Sequence, residues 1–127
     1  MRKLIAASAV ALAACGATQD TGCTRLPEGG RYCLQPTASV AAFHATQRVE
    51  VALDGAGLSL ISELEVDAAA MHFVMVTPFG QTLMQLAYDN QTARIGGTSP
   101  LIGRLDPVLL AALVQIAMWP LDAVRRG

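Results

Sequence analysis

The sequence predicts an α+β domain: an antiparallel β-meander of four to six strands packed against one or two C-terminal apolar helices. Three observations predict it. Apolar and polar residues alternate with period two from Phe43 to Ile95. Turn residues break that alternation at short, regular intervals. After Gly103 the pattern becomes one long apolar run opened by Asp106-Pro107.

The first predicted strand, 43–53, reads FHATQRVEVAL. Phe43, Ala45, Val49, Val51 and Leu53 share one face, and His44, Thr46, Arg48 and Glu50 share the other. Asp54-Gly55-Ala56-Gly57 is a hairpin signal, because an Asp-Gly step tolerates the positive φ of a tight turn. The next strand, 58–67, groups Leu58, Leu60, Leu64 and Val66 against Glu63, Glu65 and Asp67. A turn follows at 67–69. Residues 71–77, MHFVMVT, are apolar on both faces apart from His72, which predicts a more buried strand. Thr77-Pro78-Phe79-Gly80 fits a type I turn, with Pro second and Gly fourth. Strand 82–88 aligns Met84, Leu86 and Tyr88, Asp89-Asn90 turns the chain, and a weaker strand, 92–95, ends at Gly96-Gly97.

Asp106 supplies an N-cap and Pro107 the first helical position. The helix VLLAALVQIAMW runs from 108 to 119, and Pro120 stops it. Gln115 is its one strongly polar residue, so most of its sides must be covered. It is too short to span a bilayer. Residues 121–127 have room for one further helical turn.

At the other end, Arg2 and Lys3 precede an uncharged run, Leu4 to Leu12, and the small residues Ala13 and Ala14. This is the layout of a secretory signal peptide. Leu12-Ala13-Ala14-Cys15 resembles the lipobox of bacterial lipoproteins. That resemblance implies cleavage before Cys15, a diacylglycerol on its sulfur and an acyl chain (palmitate) on the new α-amine. Two or three chains on one cysteine hold a protein to a membrane where one chain holds it only marginally. The alternative is an ordinary signal peptide that happens to end at a cysteine. Gly16, rather than Asp, directs the expectation to the outer membrane, periplasmic face. The expected division is therefore a removed signal peptide at 1–14, a lipidated tether at 15–30 and a single domain at 31–127.

Removing the first 14 of 127 residues takes Arg2 and Lys3, which moves the formal net charge from −1 to −3. A mildly acidic chain with no remaining lysine argues against nucleic acid as a partner and against a polybasic membrane patch. Cys23 and Cys33 flank Pro27, Gly29 and Gly30, which let the chain turn back. In an oxidising compartment the two cysteines read as a disulfide, with two free thiols or a metal site as rival readings. The two histidines, His44 and His72, are scattered singly, so no metal and no cofactor are expected. Gly-x-Ser-x-Gly and phosphate-loop motifs are missing, and Glu63 with Glu65 reads as a solvated strand face, so the chain is not expected to be an enzyme.

The lipobox, the meander, QTLMQLAYD at 81–89 and the apolar helix ending Gln115-Ile116-Ala117-Met118-Trp119-Pro120 resemble a family of bacterial outer-membrane lipoproteins of unknown function. That family is encoded beside aryl polyene gene clusters and is similar to the LolA/LolB-like fold. The resemblance covers roughly residues 31 to 122. It implies a sheet curved like an incomplete barrel and a role in carrying or receiving acylated molecules. Family members continue past the tryptophan-proline step, so this chain is expected to be shortened at its C-terminus. Its sheet would then be open or completed by a partner, or the chain would be a shortened relative that has lost the lipid-handling role.

Met71, Phe73, Met75, Met84, Leu86 and Tyr88 on the strands, with Leu113, Met118 and Trp119 on the helix, are the candidate lining of an apolar ligand site. Methionine suits varied chains because it is flexible and polarisable. A simply filled core is the competing reading. Phe79, at a turn, is a candidate membrane or partner contact, or else folds inward. Two functions follow as expectations. One is an outer-membrane lipoprotein that handles a hydrophobic cargo, an acylated molecule or aryl polyene lipid. The other is a structural or assembly lipoprotein that binds an envelope protein through its sheet edge.

Overall fold

A computed structural model describes residues 22–98 and 102–127. The residues read as a signal peptide, the expected lipidation site Cys15 and the start of the expected tether lie outside them. Strands β1 (Cys23–Arg25) and β2 (Arg31–Cys33) form a small hairpin. Strands β3 (Phe43–Leu53), β4 (Ala56–Val66), β5 (Met71–Val76), β6 (Thr82–Tyr88) and β7 (Ala93–Gly97) form a five-stranded antiparallel sheet in sequence order. Helix α1 (Pro107–Met118) and the single turn α2 (Leu121–Val124) follow. The fold is α+β as expected, and the sheet does not close into a barrel: β3 and β7 are its edges.

Each connection in the sheet is a tight turn built by local chemistry. Leu53 pairs with Ala56 across Asp54 and Gly55, whose φ values of 50° and 80° suit a two-residue hairpin loop. Asp67 Oδ1 accepts from the N–H groups of Ala69 and Ala70 at 2.8 and 2.9 Å. Gly80 N donates to Thr77 O at 2.9 Å, and Gly80, at φ 84°, lets Thr77 N reach Gln81 O. Asp89 Oδ1 accepts from Thr92 N at 2.8 Å and Gln91 N at 3.0 Å. Those two main-chain bonds hold the Asp89 carboxyl below its ordinary pKa.

The strand register arranges the inward residues in rows. Phe43, Val66, Met71, Tyr88 and Ala93 form one row, and Ala45, Leu64, Phe73, Leu86 and Ile95 the next. Helix α1 packs over β6 and β7, where Ala111, Ala112 and Val114 join Leu64, Val66, Met71, Leu86 and Tyr88 in the core. Burying each large apolar side chain there stabilises by about 1.5–3 kcal/mol. The helix begins as expected: Asp106 Oδ1 accepts from Val108 N at 2.9 Å, and Pro107 opens it.

Two expectations change. Among the described residues the first strand begins at Cys23, ahead of Arg31, where Cys23 pairs directly with Cys33 and the expected disulfide joins them. The tether boundary at residue 30 therefore falls inside a hairpin. This hairpin packs on α1, with Tyr32 and Leu34 in the core cluster and Leu26 against it, which covers the back of a helix apolar nearly all round. Second, β5 is less buried than its composition suggested. Met71 is fully buried, but residues 73–76 are half-buried and His72 is exposed. The reason is placement: α1 lies over β6 and β7, so the second half of β5 faces the uncovered part of the sheet.

Candidate functional site

The uncovered half of the inner sheet face and the free flank of α1 border an open apolar cleft of about 230 Å³. Its floor is one register row: Gln47 on β3, Ser62 on β4, Met75 on β5 and Met84 on β6. Val49 and Phe73 extend the floor on either side. Gly97 ends the row on β7: its φ is 140°, and a Cβ there would collide with the main-chain oxygen of Leu83 and the side chain of Ile102. The wall is a stripe on α1, Leu110, Leu113, Val114 and Ala117, spaced i, i+3, i+4 and i+7, with Met118 beside it. Leu113 is 43% exposed although it lies in this stripe. The lining contains no titratable side chain; its polar groups are the Gln47 amide and the Ser62 hydroxyl. The chemistry this lining presents is therefore that of aliphatic, thioether and aromatic side chains.

Of the nine residues expected to line an apolar site, five border this cleft: Phe73, Met75, Met84, Leu113 and Met118. Met71, Leu86, Tyr88 and Trp119 belong to the core cluster and not to the cleft. Met71 and Tyr88 sit two rows away from the cleft floor, and Leu86 lies between the half-buried Phe73 and Ile95 among core residues. Trp119 caps the helix, buried, and its indole Nε1 has no hydrogen-bond partner among the described residues. Gln47, Val49, Ser62, Leu110, Val114 and Ala117 complete the lining and were not expected. The helical spacing of the last three with Leu113 was the available signal.

Phe79 stands at the tip of the β5–β6 loop, 97% exposed, so it projects outward. Glu65 lies opposite His44 on one side and His72 on the other, on the solvated outer face, a juxtaposition that sequence distance hides. Among the described residues no cluster of three metal-ligating side chains forms, and no helix is long and apolar enough to cross a membrane.

Two polar clusters hold the frame of the site. The Gln115 amide, fully buried, accepts from Tyr32 Oη at 2.9 Å. Burial, with Tyr88 nearby, pushes the Tyr32 phenol up to about 12. At the far end of the sheet Asn90 Oδ1 accepts from Thr37 N at 2.7 Å, and Asn90 Nδ2 donates to Thr37 Oγ1 at 2.9 Å and Ala69 O at 3.1 Å. This ties the segment after β2 to two turns of the sheet.

A family model described as "Protein of unknown function (DUF3261)" matches residues 44–127, which include every residue lining the cleft. No curated protein and no solved structure matches the chain.

Proposed function

The chain belongs to the family described as "Protein of unknown function (DUF3261)", and from that premise we propose that it handles a hydrophobic, chain-bearing cargo at the periplasmic face of the bacterial outer membrane, anchored there by lipid on Cys15. The observation that carries this reading is the apolar cleft between α1 and the open half of the sheet. Its volume, about 230 Å³, exceeds the ~150 Å³ cavity that takes up benzene and falls short of the ~300 Å³ at which sites for whole drug-sized molecules begin. It therefore takes a segment of one chain rather than a whole lipid. Burying about five methylenes contributes about 4 kcal/mol, which supports weak and exchangeable binding. Weak exchange suits a protein that receives a cargo and releases it. Met75, Met84 and Met118 let the lining adapt to the chain it meets. An acylated molecule or an aryl-polyene-type lipid fits this chemistry, in keeping with the resemblance to LolA/LolB-like proteins.

A structural or assembly role through the sheet edge is the second reading, and the outer side of β3, unpaired among the described residues, favours it. Mass spectrometry of organic extracts from natively purified protein separates the two. The cargo reading expects a lipid enriched with the wild type and reduced with Ala117→Trp, a substitution at an exposed position that fills the cleft. No enriched lipid in the wild type would remove it.

A further inference from the structure

Strand β3 is an eleven-residue edge, Phe43–Leu53, with a continuous register to β4 and no partner on its other side among the described residues. Such an edge is a template for another strand, and proteins usually blunt it with proline, charged side chains (lysine above all) or a bulge. β3 contains no proline, lysine or bulge, and its charges, Arg48 and Glu50, are of opposite sign and can pair across the edge. The Leu53–Ala56 turn sets which groups are free. Odd-numbered residues from 43 to 53 bond to β4, so His44, Thr46, Arg48, Glu50 and Ala52 turn their main-chain N–H and C=O groups outward.

We propose that the occupant of this edge is a second copy of the same strand, paired antiparallel about a two-fold axis at Val49. The argument is charge and register. With the axis at Val49, Arg48 lies opposite the partner's Glu50, and Glu50 opposite the partner's Arg48. Moving the axis to Arg48 sets arginine against arginine, and moving it to Glu50 sets glutamate against glutamate, both destabilising arrangements. Within one copy Arg48 Nε lies 3.5 Å from Glu50 Oε1, and Ser59 Oγ accepts from Arg48 and donates to Glu50. Both charges are thus already held on the outer face of the edge strand, three-quarters and two-thirds exposed. The pairing makes about eight main-chain hydrogen bonds and joins two five-stranded sheets into one. It also alters the cleft, because Gln47 and Val49 belong to both the edge strand and the cleft floor. The partner's Val49 and the partner's Val51 continue that floor beyond the limit of one chain. This assembly is independent of what the cleft holds.

Sedimentation of the full chain in detergent, with two charge variants and one cysteine variant, tests the proposal. The wild type is expected to sediment as a dimer. Arg48→Glu is expected to weaken it about ten-fold by opposing glutamates twice, and Arg48→Glu with Glu50→Arg to restore it. Val49→Cys is expected to give a disulfide-linked dimer on oxidation, whereas Val51→Cys, which faces the partner's Gln47, is not. A monomeric wild type at about 100 µM, or unchanged dimerisation of Arg48→Glu, overturns the proposal even if Val49→Cys fails to fold. Cross-linking of Val49→Cys to a different protein also overturns it, because the edge then belongs to another partner.

Discussion

Gln115 in α1 bonds both main-chain groups of Gln35: its Oε1 accepts from Gln35 N at 2.9 Å, and its Nε2 donates to Gln35 O at 3.1 Å. The amide thus does for the chain after β2 what a neighbouring strand would do. The same Oε1 accepts from Tyr32, so one buried side chain fastens the N-terminal hairpin to the helix. Replacing Gln115 with Leu keeps the apolar helix and leaves three polar groups without this partner. The expected loss is about 2–4 kcal/mol in denaturant unfolding. A loss below ~1 kcal/mol would mean that water replaces the amide.

Tyr32 gives the domain an alkaline sensitivity. Its phenol is raised by burial to about 12, so in the pH range between its unfolded value near ~10 and that figure the unfolded chain has released a proton that the folded chain keeps. Stability is full below that window and falls as pH rises through it. Tyr32→Phe is expected to lose about 1 kcal/mol at neutral pH and to show a smaller decline from pH ~10 upward. Thermal unfolding of both proteins across that range checks the sign.

The Cys23–Cys33 bridge closes a short loop over the back of α1. Opening it is expected to lower stability by about 3 kcal/mol. It should also expose the flank of α1 near Leu26 and Ile116, which line one depression beside the hairpin loop. Reduction should therefore raise the fluorescence of a hydrophobic dye before global unfolding. Loss of stability without dye binding would show that the hairpin stays docked.

The meander was legible because its turns are local. Asp54-Gly55, Pro78-Phe79-Gly80 and Asp89-Asn90 each carry their geometry within four residues, and the alternation between them marks the inward faces. The first hairpin was legible as a turn at Pro27 to Gly30 closed by the Cys23–Cys33 disulfide, but not as strands: CTR and RYC are three residues each, too short to show a period of two. The cleft was legible in part. Alternation puts Met71, Phe73 and Met75 on one face of β5, but only the position of α1 decides that Met71 lies in the core while Met75 lines the cleft. That position depends on long-range packing. The Gln115–Gln35 pairing spans 80 residues and leaves no local pattern beyond a polar residue in an apolar helix.

Phe79 packs against nothing that stabilises the fold, since it is 97% exposed. Phe79→Ser is expected to change unfolding free energy by less than ~0.5 kcal/mol. Reduced sedimentation with lipid vesicles at unchanged stability would identify this ring as a membrane contact; unchanged partitioning would remove that role.

Photolabelling with a diazirine-bearing fatty acid tests most directly whether the cleft takes an acyl chain. The expected labels fall on Phe73, Met75, Leu110, Leu113 and Met118, and excess unlabelled fatty acid suppresses them. Labels spread over Leu58, Phe79 and Leu121, or labelling that excess ligand leaves unchanged, would show contact with exposed apolar surface instead and contradict the account.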